Sequence, residues 1–201
     1  FINSALKIYE KEKRVFGVSG YKFDSQEPIK NIVYFLPVMS SWGYGTWADR
    51  WQSIDFKTKQ LNQQVYDNNI KDKLQFGNFD FYKMLQQQLL GTIDSWAIRF
   101  YISMRLQNGI FLFPNKSLLT NIGLDGSGVH CGKNVFKEFE TIEQLKVPKI
   151  KVELENHIIS LFQPPKEKPM GFMKNFKKRI KKHIPPELLN YIRRKRGLTE
   201  D

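Results

Sequence analysis

A single cysteine and no apolar run long enough to span a bilayer mark out what this chain of 201 residues is not. One thiol, Cys131, excludes an internal disulfide framework and a clustered cysteine metal site, and it is compatible with a reducing compartment. Nothing at the start reads as a signal peptide, and nothing further on reads as a membrane span. The chain opens at Phe1, and "FINSALKIYEKEKRVFGVSGY" reads like the middle of a domain, so a further N-terminal portion is expected. Against these absences stand a hydrophobic fraction of 41% and an aromatic fraction of 14%, enough for a real core. The length suits one ordinary domain with an appendage.

Acidic residues are scarce in one place. The net charge is +12, and the stretch 166–196 alone contributes +10, from twelve Lys/Arg and two Glu. The remainder is close to balanced, so the basic character belongs to the C-terminal tail.

Phe1, Ala5, Leu6 and Tyr9 recur at helical spacing. "VFGVSGY" and "NIVYFLPV" are short, rich in β-branched and aromatic residues and bounded by turn formers, which predicts strands. A loop "SSWGYG" and a short helix "TWADRWQSI" follow, with Thr46 as its N-cap and Trp47 and Trp51 on one face. The stretch 57–90 is mostly helical and rich in Gln and Asn, broken near "FGNFD". "GTIDSWAIRFYISMRLQNG" predicts a helix with Asp94 at the N-cap and Asn108-Gly109 as its stop. "IFLFP" is a strand ended by Pro114, and "SLLTNIG" is a candidate for another. "KIKVELENHIISLF" reads as a strand or an edge hairpin, and "QPPKEKP" as a linker. Strands alternating with helices predict an α/β class.

Four constellations carry chemistry or binding. Asp94 fits a plain capping role, and it also fits a general base that takes a hydroxyl proton; capping would fix the side chain for either. The run Ser40–Trp51 holds three of the four tryptophans, and its rings fit a packed core. The same run also fits a sugar site, because Gly43 and Gly45 allow a sharp turn while Tyr44, Asp49 and Arg50 supply polar groups beside flat apolar faces. "LDGSGVHCG" is either a surface loop or an anion cradle, with His130 a candidate metal ligand and Cys131 a small buried residue. In the tail, Phe172, Phe176, Ile180 and Ile184 recur every four residues among lysines. That amphipathic pattern suits an anionic membrane surface better than nucleic acid.

In order along the chain, "VFGVSGY", "SSWGYGTWADRW", "DSWAIRF" and "FPNKSLLTNIGLDGSGVHC" resemble the C-terminal half of a GT-A type glycosyltransferase catalytic domain. The likeness is greatest to bacterial family 2 sugar transferases, looser to the N-acetylglucosaminyltransferase I type, and covers roughly residues 1–135. It implies a partial GT-A (Rossmann-like) α/β domain without its nucleotide-binding half: 1–146 acceptor-side, 147–165 connecting, 166–201 a basic helical tail.

The resemblance further implies inverting transfer from a nucleotide-sugar donor to a glycan or lipid-linked acceptor, with Asp94 as general base. Trp42, Gly43, Tyr44, Trp47, Arg50, Trp51, Trp96 and Arg99 would shape the sugar pocket. Asp125, Gly126, Ser127, Gly128 and His130 would close over the diphosphate, with manganese or magnesium as the divalent metal. The metal's acidic DxD-type motif is expected before Phe1, since Asp80 in "GNFDFYK" stands as a single acid. By the same likeness the protein would build envelope polysaccharide, cytoplasmic and peripheral at the inner face of a bacterial plasma membrane. Two other readings remain open: a carbohydrate- or partner-binding domain that catalyses nothing, and a basic membrane- or nucleic-acid-binding protein with an α/β scaffold.

Overall fold

The structure is a computed structural model, and it describes residues 1–119 and 146–163. Residues 1–163 make one compact unit. Its centre is a mixed four-stranded sheet of β1 (Val15–Ser19), β2 (Val33–Leu36), β3 (Tyr44–Gly45) and β6 (Ile110–Pro114), in the order β2-β6-β1-β3. β1 runs parallel to β6, while β2 pairs antiparallel with β6 and β3 antiparallel with β1. The fold is therefore α/β with a mixed sheet.

Strand alternation explains both cores. Tyr34, Leu36, Phe111 and Phe113 point to one face, and Val33, Phe35, Ile110 and Leu112 to the other. The first face is covered by α3 (Thr58–Asp67), α4 (Phe81–Leu89) and α5 (Trp96–Leu106), through Leu61, Val65, Leu85, Ile98 and Ile102. The second is covered by α1 (Ile2–Tyr9), through Ala5 and Tyr9. Both faces being buried, the strands read as continuous apolar runs, as "VYFL" and "IFLF" do.

Helix α1, helix α5 and the strands in "VFGVSGY", "NIVYFLPV" and "IFLFP" fall where the sequence puts them. Elsewhere long-range packing overrode local pattern. The break near "FGNFD" is a small hairpin of β4 (Gln75–Phe76) and β5 (Phe79–Asp80), and Asp80 caps α4 by accepting from the Lys83 N–H. The "SSWGYG" loop ends in a strand, because Tyr44 and Gly45 pair with Ser19 and Val18. Residues 117–119 are irregular rather than a strand, and the rest of "SLLTNIG" lies outside the described residues.

The expected strand or hairpin at 147–163 is neither. Residues 147–154 run unpaired over the second face, packing Val147, Ile150, Val152 and Leu154 against it. Buried Tyr9 clasps this strap: its hydroxyl donates to the Pro148 carbonyl (3.1 Å) and accepts from the Ile150 N–H (2.9 Å). The chain then passes to the first face as α6 (Asn156–Ser160), where Ile158 and Phe162 are buried. Alternating apolar residues imitate a strand, but among the described residues no strand pairs with them. Among the described residues, no helix is long and apolar enough to cross a membrane.

Candidate functional site

The start of α5 gathers the groups with chemical potential. Ser95, not Asp94, is the N-cap residue of α5, and its side chain makes no capping bond. The one-residue difference matters. Asp94 stands just outside the helix with its carboxylate 85% exposed. Two donors reach the same oxygen: Gln88 Nε2 lies 3.0 Å from Asp94 Oδ1, and Arg99 pairs with it at 3.1 Å. Gln88 comes from the last turn of α4, and its Oε1 also accepts the Ser95 backbone N–H at 3.1 Å.

Two residues after Asp94 the first turn of α5 carries Trp96, 39% exposed. Its ring stacks on Tyr44 (5.8 Å, 29°) and tilts against Trp51 (5.9 Å, 56°). Trp51, from α2 (Ala48–Gln52), is 40% exposed and also meets Phe56. Phe100, one turn along α5 and fully buried, underlies Tyr44, Trp51 and Trp96. Tyr44 reaches this position from β3, and partial burial raises the pKa of its phenol. Gly43, at φ +49°, makes the turn into β3, and a Cβ there would fall 1.8 Å from the Leu119 side chain. The start of α5 thus carries a half-exposed aromatic surface around Trp96 and an anion, Asp94, held by a cation and an amide.

Other members of the tryptophan run go elsewhere. Trp42 packs edge-on against Tyr21, 4.6 Å between centroids. Trp47 is the N-cap residue of α2 and donates its indole N–H to the Leu6 carbonyl (3.2 Å). It therefore shares no face with Trp51. Thr46, expected to be that cap, donates instead to the Phe16 carbonyl at 2.6 Å.

Arg50 is only 4% exposed: it lies over the Trp47 ring, donates to both Asp49 oxygens (2.7 and 2.9 Å) and reaches the Glu10 carbonyl. Lys13 first, then Arg50, holds the Asp49 carboxyl below the usual carboxylate range. Arg50 and Asp49 tie α1 to α2 and are committed to that task.

The structure therefore brings together Asp94, Trp96, Arg99, Tyr44 and Trp51 of the expected pocket, and sends Trp42, Trp47 and Arg50 to separate packing roles. The glycine-rich loop with Asp125, Gly126, Ser127, Gly128 and His130, Cys131 beside it, and the basic tail lie outside the described residues. Among the described residues no group of three or more His, Cys, Asp or Glu side chains could hold a metal ion; the expected ligands for manganese or magnesium, His130 and an acidic motif before Phe1, are not among those residues.

Sequence reasoning missed Gln88, whose run "QQQ" reads as a solvated helix face; no local signal marks which glutamine reaches the start of α5. It missed Phe56 and Tyr21 for the same reason, since only tertiary contact gives them tryptophan neighbours. Comparison of the chain with family models, with curated proteins and with solved structures finds no match.

Proposed function

We propose that this α/β unit is the acceptor-side part of a GT-A type, inverting glycosyltransferase, with Asp94 as its general base. One observation carries the reading: an exposed carboxylate, oriented by two donors, stands two residues before Trp96, whose ring forms a half-exposed surface with Trp51 and Tyr44. A pyranose presents apolar C–H faces and a rim of hydroxyls, which complement the rings and the Asp94–Arg99 margin respectively.

In the proposed step the acceptor hydroxyl gives its proton to the Asp94 carboxylate. Its oxygen attacks the anomeric carbon of the donor sugar from the face opposite the nucleotide diphosphate. The anomeric C–O bond breaks, and its electron pair leaves on the phosphate oxygen. A sugar lying on Trp96 would also displace water from Asp94 and strengthen its interactions.

Asp94→Asn keeps the shape and the Oδ1 acceptor but removes the base. In the full-length protein this substitution should lower transfer from a nucleotide sugar by about 10²–10⁴-fold, while oligosaccharide binding, read by tryptophan fluorescence, persists. Unchanged turnover would overturn the assignment.

The alternative is a carbohydrate-binding domain that catalyses nothing, favoured by the exposure of Trp51 and Trp96 with no second substrate needed. It predicts glycan binding without transfer from any nucleotide sugar. For the tail, the segment 166–196 would hold the protein at the anionic cytoplasmic face of a membrane. Deleting residues 166–201 should abolish cosedimentation with anionic vesicles and leave transfer to a soluble acceptor intact; retained vesicle binding would overturn that role.

A further inference from the structure

The Asp94 carboxylate is held by Gln88, from the last turn of α4, and by Arg99. With its side chain 85% exposed, Asp94 would sample several rotamers if left alone. Gln88 prevents this with both ends of one amide. Its Oε1 accepts the Ser95 N–H, and its Nε2 donates to Asp94 Oδ1. Only this amide orientation works, because the reverse would set an NH₂ against an N–H and an oxygen against a carboxylate. The same amide supplies a partner for a backbone N–H at the start of α5, where the Ser95 side chain makes no capping bond. Arg99 adds its charge to Oδ1 through one terminal nitrogen from the first turn of the helix, while its Nε makes no hydrogen bond to described residues.

Both donors converge on one oxygen. Neither contact uses Oδ2.

We infer that Gln88 and Arg99 are positioning residues for Asp94: they hold Oδ1 and present Oδ2 as the oxygen that takes the acceptor's proton. This inference rests on the reading of Asp94 as the base. It adds a residue from a different helix and a division of labour between the two carboxylate oxygens.

Substitutions at Gln88 separate positioning from mere helix capping. In Gln88→Glu a carboxylate can still accept the Ser95 N–H, but it cannot donate to Asp94 and repels it. In Gln88→Met both contacts vanish with little change in shape. Arg99→Met removes the charge, and Arg99→Lys restores a donor without the guanidinium plane.

Each variant is made in the full-length protein and compared with wild type for kcat, KM and the Asp94 χ1 couplings by NMR. The inference expects Gln88→Glu and Gln88→Met to lose kcat alike, about tenfold, with KM within twofold and with χ1 averaging at Asp94. It also expects Arg99→Lys to recover part of what Arg99→Met loses. Gln88→Glu with wild-type kcat would overturn the inference, because capping alone would then explain Gln88. If wild type transfers from no donor, the base reading fails; a single Asp94 rotamer surviving in both Gln88 variants would then independently overturn the clamp, and its averaging would support it.

Discussion

Trp51 and Trp96 come from different helices, yet their ring centroids lie 5.9 Å apart and each indole is about two-fifths exposed. Large apolar rings at such exposure are normally driven inward by the area they would bury. Here Phe100 and Tyr44 pack against them, so the pair stays at the surface near the start of α5.

Trp96→Ala should therefore weaken oligosaccharide binding about tenfold, a change of about 1.4 kcal/mol, with little loss of fold stability. Titration calorimetry against a panel of soluble oligosaccharides checks it. Trp47→Ala should do the reverse. Its indole is hydrogen-bonded to Leu6 and covered by Arg50, so stability falls while glycan affinity holds.

Gly17 in β1 lies directly under the Phe111 ring. A Cβ there would sit 2.4 Å from the ring and 2.9 Å from the Gly45 carbonyl oxygen, which is backbone of the neighbouring strand. Gly17→Ala should cost about 1–3 kcal/mol through overpacking, read as a lowered denaturation midpoint at unchanged slope.

Tyr34 is fully buried between Phe113 and Phe162, and its hydroxyl makes no hydrogen bond to described residues. Burial drives its pKa well above the tyrosine value. A buried hydroxyl without a partner costs about 1–3 kcal/mol of desolvation. Tyr34→Phe should thus leave thermal stability unchanged or raise it.

Tyr101 on α5 is buried against Phe81, 3.9 Å between centroids, and burial pushes its pKa up to about 12, with Arg105 opposing. An unfolded tyrosine ionises near pH 10. Because the folded pKa is the higher one, Tyr101's contribution is fully present below about pH 10. It is lost as pH rises through about 12. Tyr101→Phe should flatten that alkaline decline in chemical denaturation curves, and tyrosinate absorbance should show one fewer late-ionising group.

Local chemistry determined much of the architecture. The β-branched and aromatic runs at β1, β2 and β6 can be read as strands because each is buried on both faces and needs no distant information to look apolar. Helices α1 and α5 were legible from spacing and from the Asn108-Gly109 stop. The cap of α5 was misread by one residue, since Asp94 and Ser95 are both good caps and only geometry distinguishes them.

The sequence alone established that an aromatic-rich run and an Asp-Ser-Trp helix start exist, and that charge is concentrated in the tail. Where each ring went was decided by tertiary structure. Trp47 met a carbonyl of α1, Trp42 met Tyr21, and Trp51 met Trp96. The physical reason is that hydrophobic attraction has no direction, so an indole's partner is set by the geometry of the assembled layers. The pairing of Gln88 with Asp94 followed from the same cause, when the end of α4 was brought against the start of α5.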